Sequence, residues 1–464
     1  VEPLTITAAA PLVCAGTLSP VDLLDQCLAR VDRYEARVRA WVHLDRDRAR
    51  KEARDLTDEL ARGHYRGPLH GIPIGIKDII DVYDMPTGCG SKLWANSYAR
   101  RDATVVERLH RAGAIIMGKT VTTPYAFMDP PVTRNPWNLD RTPGGSSSGS
   151  AAAVACGMCL AALGTQTGGS ITRPASYCGV YSLKPTYGRV SVNGVLPLAP
   201  SLDHVGVMAN CVRDLAVVFQ AMAGHDHLDS RSKRAAIPEC VGAIDKMIGR
   251  LERGELEERS RPRFGFLGDF FEEQAAPEIQ KFASRCERDL RTLAHARTSV
   301  KKHALFPGFA DVTRNHRIKM AVEAARVHGE RFRRHPEDYP PKITALVEEG
   351  LILSAAEYYE ADCFEVSLYE NFHTGAGIEI QLSPATTDLA PDPTTTGSPL
   401  FNSPWSYLGF PTVSVPLGWS QDGMPMALQF ISGALDEEHL LESAAWVDHV
   451  FRLDGAYQPR ALPL

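Results

Sequence analysis

Apolar residues recur at helical spacing early in the chain. Val21, Leu24, Cys27, Leu28 and Val31 follow Ser19-Pro20, a pair suited to open a helix. Residues 17–62 therefore read as two helices, the second running over about 45–62. That second helix is rich in Arg, Glu and Asp and belongs on the surface. After Gly67-Pro68 the pattern changes to a β-branched run, LHGIPIGIKDIIDV (69–82), broken by Lys77, Asp78 and Asp81. Such a run suits a buried strand, and a lysine inside one is costly unless it is paired or functional. Residues 102–119 read as a helix followed by a strand, the rhythm of an α/β protein. A polar loop at 132–142 leads to a helix at 149–160, a strand at 160–165 and a further helix from about 171. Residues 225–370 are charged and helix-prone, and predict a peripheral helical region. Strand-like runs resume between 379 and 432 (IEIQLSP, TVSVPL, MALQFIS), and a helix begins near 436.

Composition narrows this picture. The chain has 464 residues, 44% hydrophobic and 23% charged, with a net charge of −6. These are the proportions of a globular protein with a substantial core. The charge balance gives no reason to expect nucleic acid or an anionic membrane as partner. The longest apolar run, at 151–163, is too short to cross a bilayer. The stretch VEPLTITAAAPLVCAG has no basic leader before its apolar part, so no secretory signal is expected. Ten scattered cysteines form no dense framework, which fits reduced thiols and a cytoplasmic location. Cys156-Gly-Met-Cys159 lies inside an Ala-rich helix without a second pair and reads as packing rather than a metal site.

The stretch from Pro143 to Tyr187 concentrates the candidate chemistry. It opens with Gly144-Gly145 and three serines, crosses an apolar helix, and reaches a second Gly-Gly-Ser at 168–170. A flexible linker would not enclose so many apolar residues. Three neighbouring letter-matches mislead. Gly113 to Thr120 spells a phosphate loop, but its middle residues, Ala-Ile-Ile-Met, read as the strand itself. Gly145-Ser-Ser147-Ser-Gly149 spells a nucleophile elbow without the preceding strand that an elbow needs. Ser299-Val-Lys-Lys302 lies in a charged stretch without companion motifs. What remains is Lys77 and two serine turns. A buried lysine loses proton affinity and can act as a neutral base. A serine hydroxyl needs such a base to become a nucleophile. The amides of Thr167, Gly168, Gly169 and Ser170, entering a helix, suit a developing oxyanion.

At these residues the chain resembles the amidase signature family over nearly its whole length. The resemblance is carried by GPLHGIPIGIKDIIDV, DATVVERLHRAGAIIMGKT, the block GGSSSGSAAAVA…GTQTGGSITRPASYCGVYSLKPTYGRVS, and the late NSPWSYLGFPTVSVPLG with GMPMALQF. It implies an α/β fold with a mixed central sheet, helices on both faces and a helical peripheral lobe. It implies one domain over 1–464. That domain comprises a helical lead (1–65), a catalytic core (66–224), a variable substrate lobe (225–375) and returning core strands with a closing helix (376–464). It also implies a triad: Lys77 as base, Ser146 as bridging serine after a cis peptide bond at Gly145–Ser146, and Ser170 as nucleophile, with Thr167 to Ser170 as oxyanion hole. The expected reaction is hydrolysis of a small carboxylic-acid amide without metal or organic cofactor. The alternative is the glutaminase component of a tRNA-dependent amidotransferase, which requires partner subunits. Two departures stand out: many members carry Asp where this chain has Gln166, and Arg173 lies three residues after the nucleophile rather than two. That arrangement resembles the malonamidase-like and carboxybiuret-hydrolase-like branch, where the arginine can meet a substrate carboxylate; the alternative is that Arg173 ties the loop to a backbone carbonyl or an acid. Arg173, Gln166 and Tyr125 are therefore the candidate substrate contacts, with Phe127 beside them. A homodimer is the expected assembly.

Overall fold

The computed structural model describes residues 4–464 apart from 294, 296, 297, 304, 306, 307 and 373–376. Eleven strands form one mixed sheet among the described residues. In chain order they are β1 Trp41–Leu44, β2 Pro73–Lys77, β3 Ile115–Thr120, β4 Ala161–Gln166, β5 Tyr181–Lys184, β6 His204–Ala209, β7 Phe264–Leu267, β8 Val300–His303, β9 Ile380–Pro384, β10 Thr412–Trp419 and β11 Pro425–Ile431. Their spatial order is β1-β3-β2-β4-β6-β5-β10-β11-β9-β7-β8. β2 lies parallel to both β3 and β4. β6, β5, β10 and β11 continue the sheet antiparallel. Every residue of β2, β3, β4 and β6 is buried, which explains their near-continuous apolar runs.

Parallel neighbours need crossover helices. The Thr104–Arg111 helix connects β2 to β3, and the Ser148–Ala155 helix connects β3 to β4. All eight residues of the latter are buried, as its uniformly small and apolar composition requires. It stops short of the expected 160 because Gly157 turns the chain with φ +66°.

The strand expected over 69–82 ends at Lys77. There the amides of Ile79 and Ile80 both turn back onto the Lys77 carbonyl, at 2.8 and 2.9 Å. Lys77 therefore stands at the carboxyl end of a parallel strand. Open α/β sheets place their ligands beyond these ends.

The charged region 225–370 is not helical throughout. Its apolar island Phe264–Leu267 becomes β7, and the mostly polar Val300–His303 becomes β8, parallel to β7, which is itself parallel to β9. The Ser299-x-x-Lys302 letters begin one residue before β8 and run into it. The helix Ile6–Cys14 and the short strand β1 escaped the sequence reading. The helix is anchored by buried Asp214, which accepts the Ile6 and Thr7 amides at 2.8 Å each. Gly118, Lys119 and Thr120 lie within β3, and Lys119 forms a fully buried ion pair with Asp78 at 3.1 Å. Its charge is thereby satisfied inside the protein.

Candidate active site

Two loops converge on the end of β2. One precedes the Ser148–Ala155 helix and carries the serines. The other follows β4, as Thr167 to Ile171, and enters the Thr172–Cys178 helix. Lys77 Nζ lies 2.7 Å from Ser146 Oγ, 2.7 Å from Thr165 Oγ1 and 3.5 Å from the Thr165 carbonyl. Burial holds the ammonium pKa well below its ordinary value, and the nearby Asp203 carboxylate acts in the opposite direction.

The three consecutive serines divide their work. Ser146 meets Lys77, and the peptide bond before it is cis. The Ser147 hydroxyl donates to the Thr165 carbonyl at 3.3 Å and accepts the Thr165 amide at 3.2 Å. Ser148 Oγ donates to the Gly144 carbonyl at 2.8 Å. A side chain at Gly145 would meet Thr396 Cγ2 at 2.8 Å and Thr123 Cγ2 at 3.0 Å. Glycine is what allows the turn to seat itself there.

The loop bearing Ser170 is held from several sides. The Gln166 amide oxygen accepts the Ile171 and Thr172 amides, at 2.8 and 3.0 Å, and its nitrogen donates to Ser406 Oγ at 3.1 Å. Ser406 Oγ donates in turn to the Gly168 carbonyl at 2.7 Å. Thr167 Oγ1 donates to Asp203 at 2.5 Å. His316, from the Val312–Arg334 helix, lies with Nε2 2.9 Å from the Thr167 carbonyl. Burial lowers the His316 pKa to about 4, so the ring is neutral and Nε2–H is the donor. The Ser170 carbonyl accepts the Ser147 amide at 3.3 Å, joining the two loops. The amides of Gly168, Gly169 and Ser170 donate no backbone hydrogen bond among the described residues.

Ser170 faces a cavity of about 110 Å3 lined by Phe127, Met128, Leu198, Met320, Arg317 and Arg173, together with the 167–170 loop. Arg173 is fully buried. Its Nη2 donates to the Gly145 carbonyl at 2.7 Å and to Thr396 Oγ1 at 3.3 Å. Its Nε and Nη1 have no hydrogen-bond partner among the described residues, and burial pulls its pKa to about 10.

Two of the expected substrate contacts lie elsewhere. Gln166 does not line the cavity, because both ends of its amide are spent on holding the loop. Tyr125 does not line it either: its ring stacks on Tyr339 at 4.4 Å, and its hydroxyl bonds to Ser91 Oγ at 3.2 Å and to Asp338. The adjacent Phe127 does reach the cavity. Arg317 also lines the cavity while paired to Glu349 at 2.7 Å. Thr165, Asp203, His316 and Ser406 were missed. The first two sit in recognisable blocks (GTQTGGS, SLDHVG), whereas His316 lies in the charged region without any local signal. A larger groove of about 860 Å3, bordered by Arg33, Trp419 and Tyr457, includes none of the residues around Lys77.

Acyl transfer through a serine is the chemistry this arrangement suits, and the class it defines is an α/β hydrolytic enzyme. The family model for amidases matches residues 22–327. A glutamyl-tRNA(Gln) amidotransferase component from Chloroflexus aggregans is 34% identical over 94% of both chains. Among solved structures, one concerns a vestigial protein complex bearing on the evolutionary origins of an s-triazine catabolic enzyme. It superposes with a TM-score of 0.88 at 28% identity, covering 96% of this chain and 98% of that one. The native peptide amidase from Stenotrophomonas maltophilia superposes with a TM-score of 0.82 at 27% identity, covering 99% of each. The chain belongs to the amidase family, and it is an enzyme of the kind that acts on amide C–N bonds. Among the described residues no helix is long and apolar enough to cross a membrane.

Proposed function

We propose that this chain hydrolyses a small amide bearing a carboxylate, giving an acid and ammonia or an amine, through an acyl-enzyme on Ser170. The observation that carries the reading is the desolvated Lys77 bonded to Ser146, next to a loop whose Ser170 faces a small cavity. With its pKa depressed, Lys77 carries two hydrogens, which Thr165 Oγ1 and the Thr165 carbonyl accept. The lone pair then receives the Ser146 hydroxyl hydrogen. Ser146 in turn takes the proton of Ser170 as its oxygen attacks the amide carbon. The unpartnered amides of 168–170 take the oxyanion. The proton returns through the same path to the leaving nitrogen, the C–N bond breaks, and water releases the acid. The bare Nε and Nη1 of Arg173 are planar donors suited to a carboxylate, and a cavity of about 110 Å3 favours a short substrate.

A second reading is favoured by the 34% identity to the amidotransferase component. In that reading the released ammonia passes to a second active site on partner proteins, and the substrate is glutamine, which also carries a carboxylate. One experiment separates the two. Ammonia release is measured for paired neutral and carboxylated amides and for glutamine, in wild type, Ser170→Ala and Lys77→Ala. Hydrolysis of short carboxylated amides by the isolated chain, lost in both variants, supports the first reading. Activity confined to glutamine and dependent on co-purifying proteins supports the second.

A further inference from the structure

One carboxylate near the site stands without a counter-ion. Asp203 is partly buried, and no salt bridge reaches it among the described residues. Its Oδ1 accepts the Thr167 hydroxyl at 2.5 Å, and its Oδ2 accepts the amides of Leu198 at 2.9 Å and Ala199 at 3.1 Å. Three donors converging on one carboxyl group satisfy its ionised form. Burial raises its pKa only to about 6, so it remains charged at neutral pH.

Geometry relates this carboxylate to the lysine. Thr165 is the penultimate residue of β4, and Thr167 opens the loop that follows it, two positions further on. Thr165 holds Lys77 and Thr167 holds Asp203. We propose that Asp203 is a positioning residue that acts through Lys77, supplying the counter-charge when Lys77 takes up the proton released by serine attack. The inference rests on the reading of Lys77 as base. In the resting enzyme, burial disfavours the cationic form of Lys77. During attack the lysine becomes cationic, and the Asp203 carboxylate, whose charge favours the protonated lysine, stabilises that state without itself accepting a proton.

The other charged groups around the pair are already committed. Asp78, next to Lys77, pairs with Lys119. Glu323, facing Asp203 from the Val312–Arg334 helix, accepts the Ser201 amide and hydroxyl and the Tyr358 hydroxyl. Arg231 bonds to Asp229 and to the Pro200 carbonyl. Lys184 bonds to the Phe410 and Pro185 carbonyls. The Tyr187 hydroxyl donates to the Pro200 carbonyl. His204 is kept neutral by burial, with Nδ1 beside the Leu202 carbonyl.

The test reads the rate of Ser170 labelling by a fluorophosphonate against pH, a readout that does not require the natural substrate. In wild type the rate falls on the acid side as Lys77 protonates. In Asp203→Asn, protonated Lys77 loses its counter-charge, so this acid limb moves to lower pH by about one unit. The plateau rate falls about tenfold. Thr167→Val, which keeps the shape but removes one donor from Asp203, moves the limb in the same direction by less. It decides the matter if the asparagine variant does not fold. A carboxylate that only staples the 198–203 turn would lower the plateau and leave the limb where it is. An unmoved limb in the folded variants, with Lys77→Ala inert, overturns the inference alone. Full labelling of Lys77→Ala overturns the base reading beneath it.

Discussion

Replacing Arg173 by methionine tests what this buried cation is for. The side chain is fully enclosed and borders the cavity, one nitrogen is spent on the Gly145 carbonyl, and two others have no hydrogen-bond partner among the described residues. If a substrate carboxylate completes those two donors, its loss removes one or two charge-assisted hydrogen bonds, worth about 1.5–3 kcal/mol each. Taking about 3 kcal/mol at about 1.4 kcal/mol per decade, kcat/KM for a carboxylated amide falls about 10²-fold. A neutral amide of the same length never used those donors. It suffers only the looser seating of Gly145, a loss of about tenfold or less. The assay is ammonia release from matched pairs, succinamic acid against butyramide for example, in wild type and Arg173→Met. Equal losses on both members of each pair would refute the argument, and Arg173 would then serve only to hold the turn before Ser146.

Further outcomes follow from the same geometry. Activity on any good substrate rises with pH along a limb set by Lys77 deprotonation. Because burial depresses that pKa, the limb lies far below the ordinary lysine range, and a rate profile still climbing near pH 10 would contradict it. Gln166→Ala strands the buried Ile171 and Thr172 amides. At about 1–3 kcal/mol per unsatisfied group, it lowers unfolding free energy by about 3 kcal/mol in a urea titration, and labelling of Ser170 slows with it. Of ten cysteines, only Cys14 and Cys363 are exposed, and burial raises the pKa of both members of the Cys156/Cys159 pair. A thiol reagent therefore reacts promptly with two groups in the native protein and with all ten after unfolding. Rapid reaction of a third would show that the core opens.

Local composition made much of this molecule legible. The β-branched run around Lys77 is a strand because it is buried on both faces, and the Ala-rich segment is a helix because small residues let it lie against β4 and β2. The serine turns were visible as glycine pairs flanking it. The boundaries were less legible. Residues 79, 80 and 82 are β-branched and apolar like the strand before them, yet the chain turns at Lys77 on its own carbonyl. The two strands in the charged region were hidden because four apolar or amphipathic residues make no period. In the site, the sequence assigns Gln166 to substrate, whereas its amide holds the loop, since a glutamine's donors and acceptors say nothing of whether they point inward or along the backbone. His316 reaches the Thr167 carbonyl across 149 residues of sequence. Nothing in its neighbours advertises that bond.

The placement of His316 has a consequence for redesign. Thr313, Arg317 and Met320 of the same helix line the cavity that Ser170 faces, while His316 fastens the loop that carries Ser170. Selectivity and turnover thus share one helix. Grafting that helix from a relative to change what the enzyme accepts would also retune how firmly its catalytic loop is clamped. A library that varies the three cavity positions while fixing His316 keeps the two properties separable.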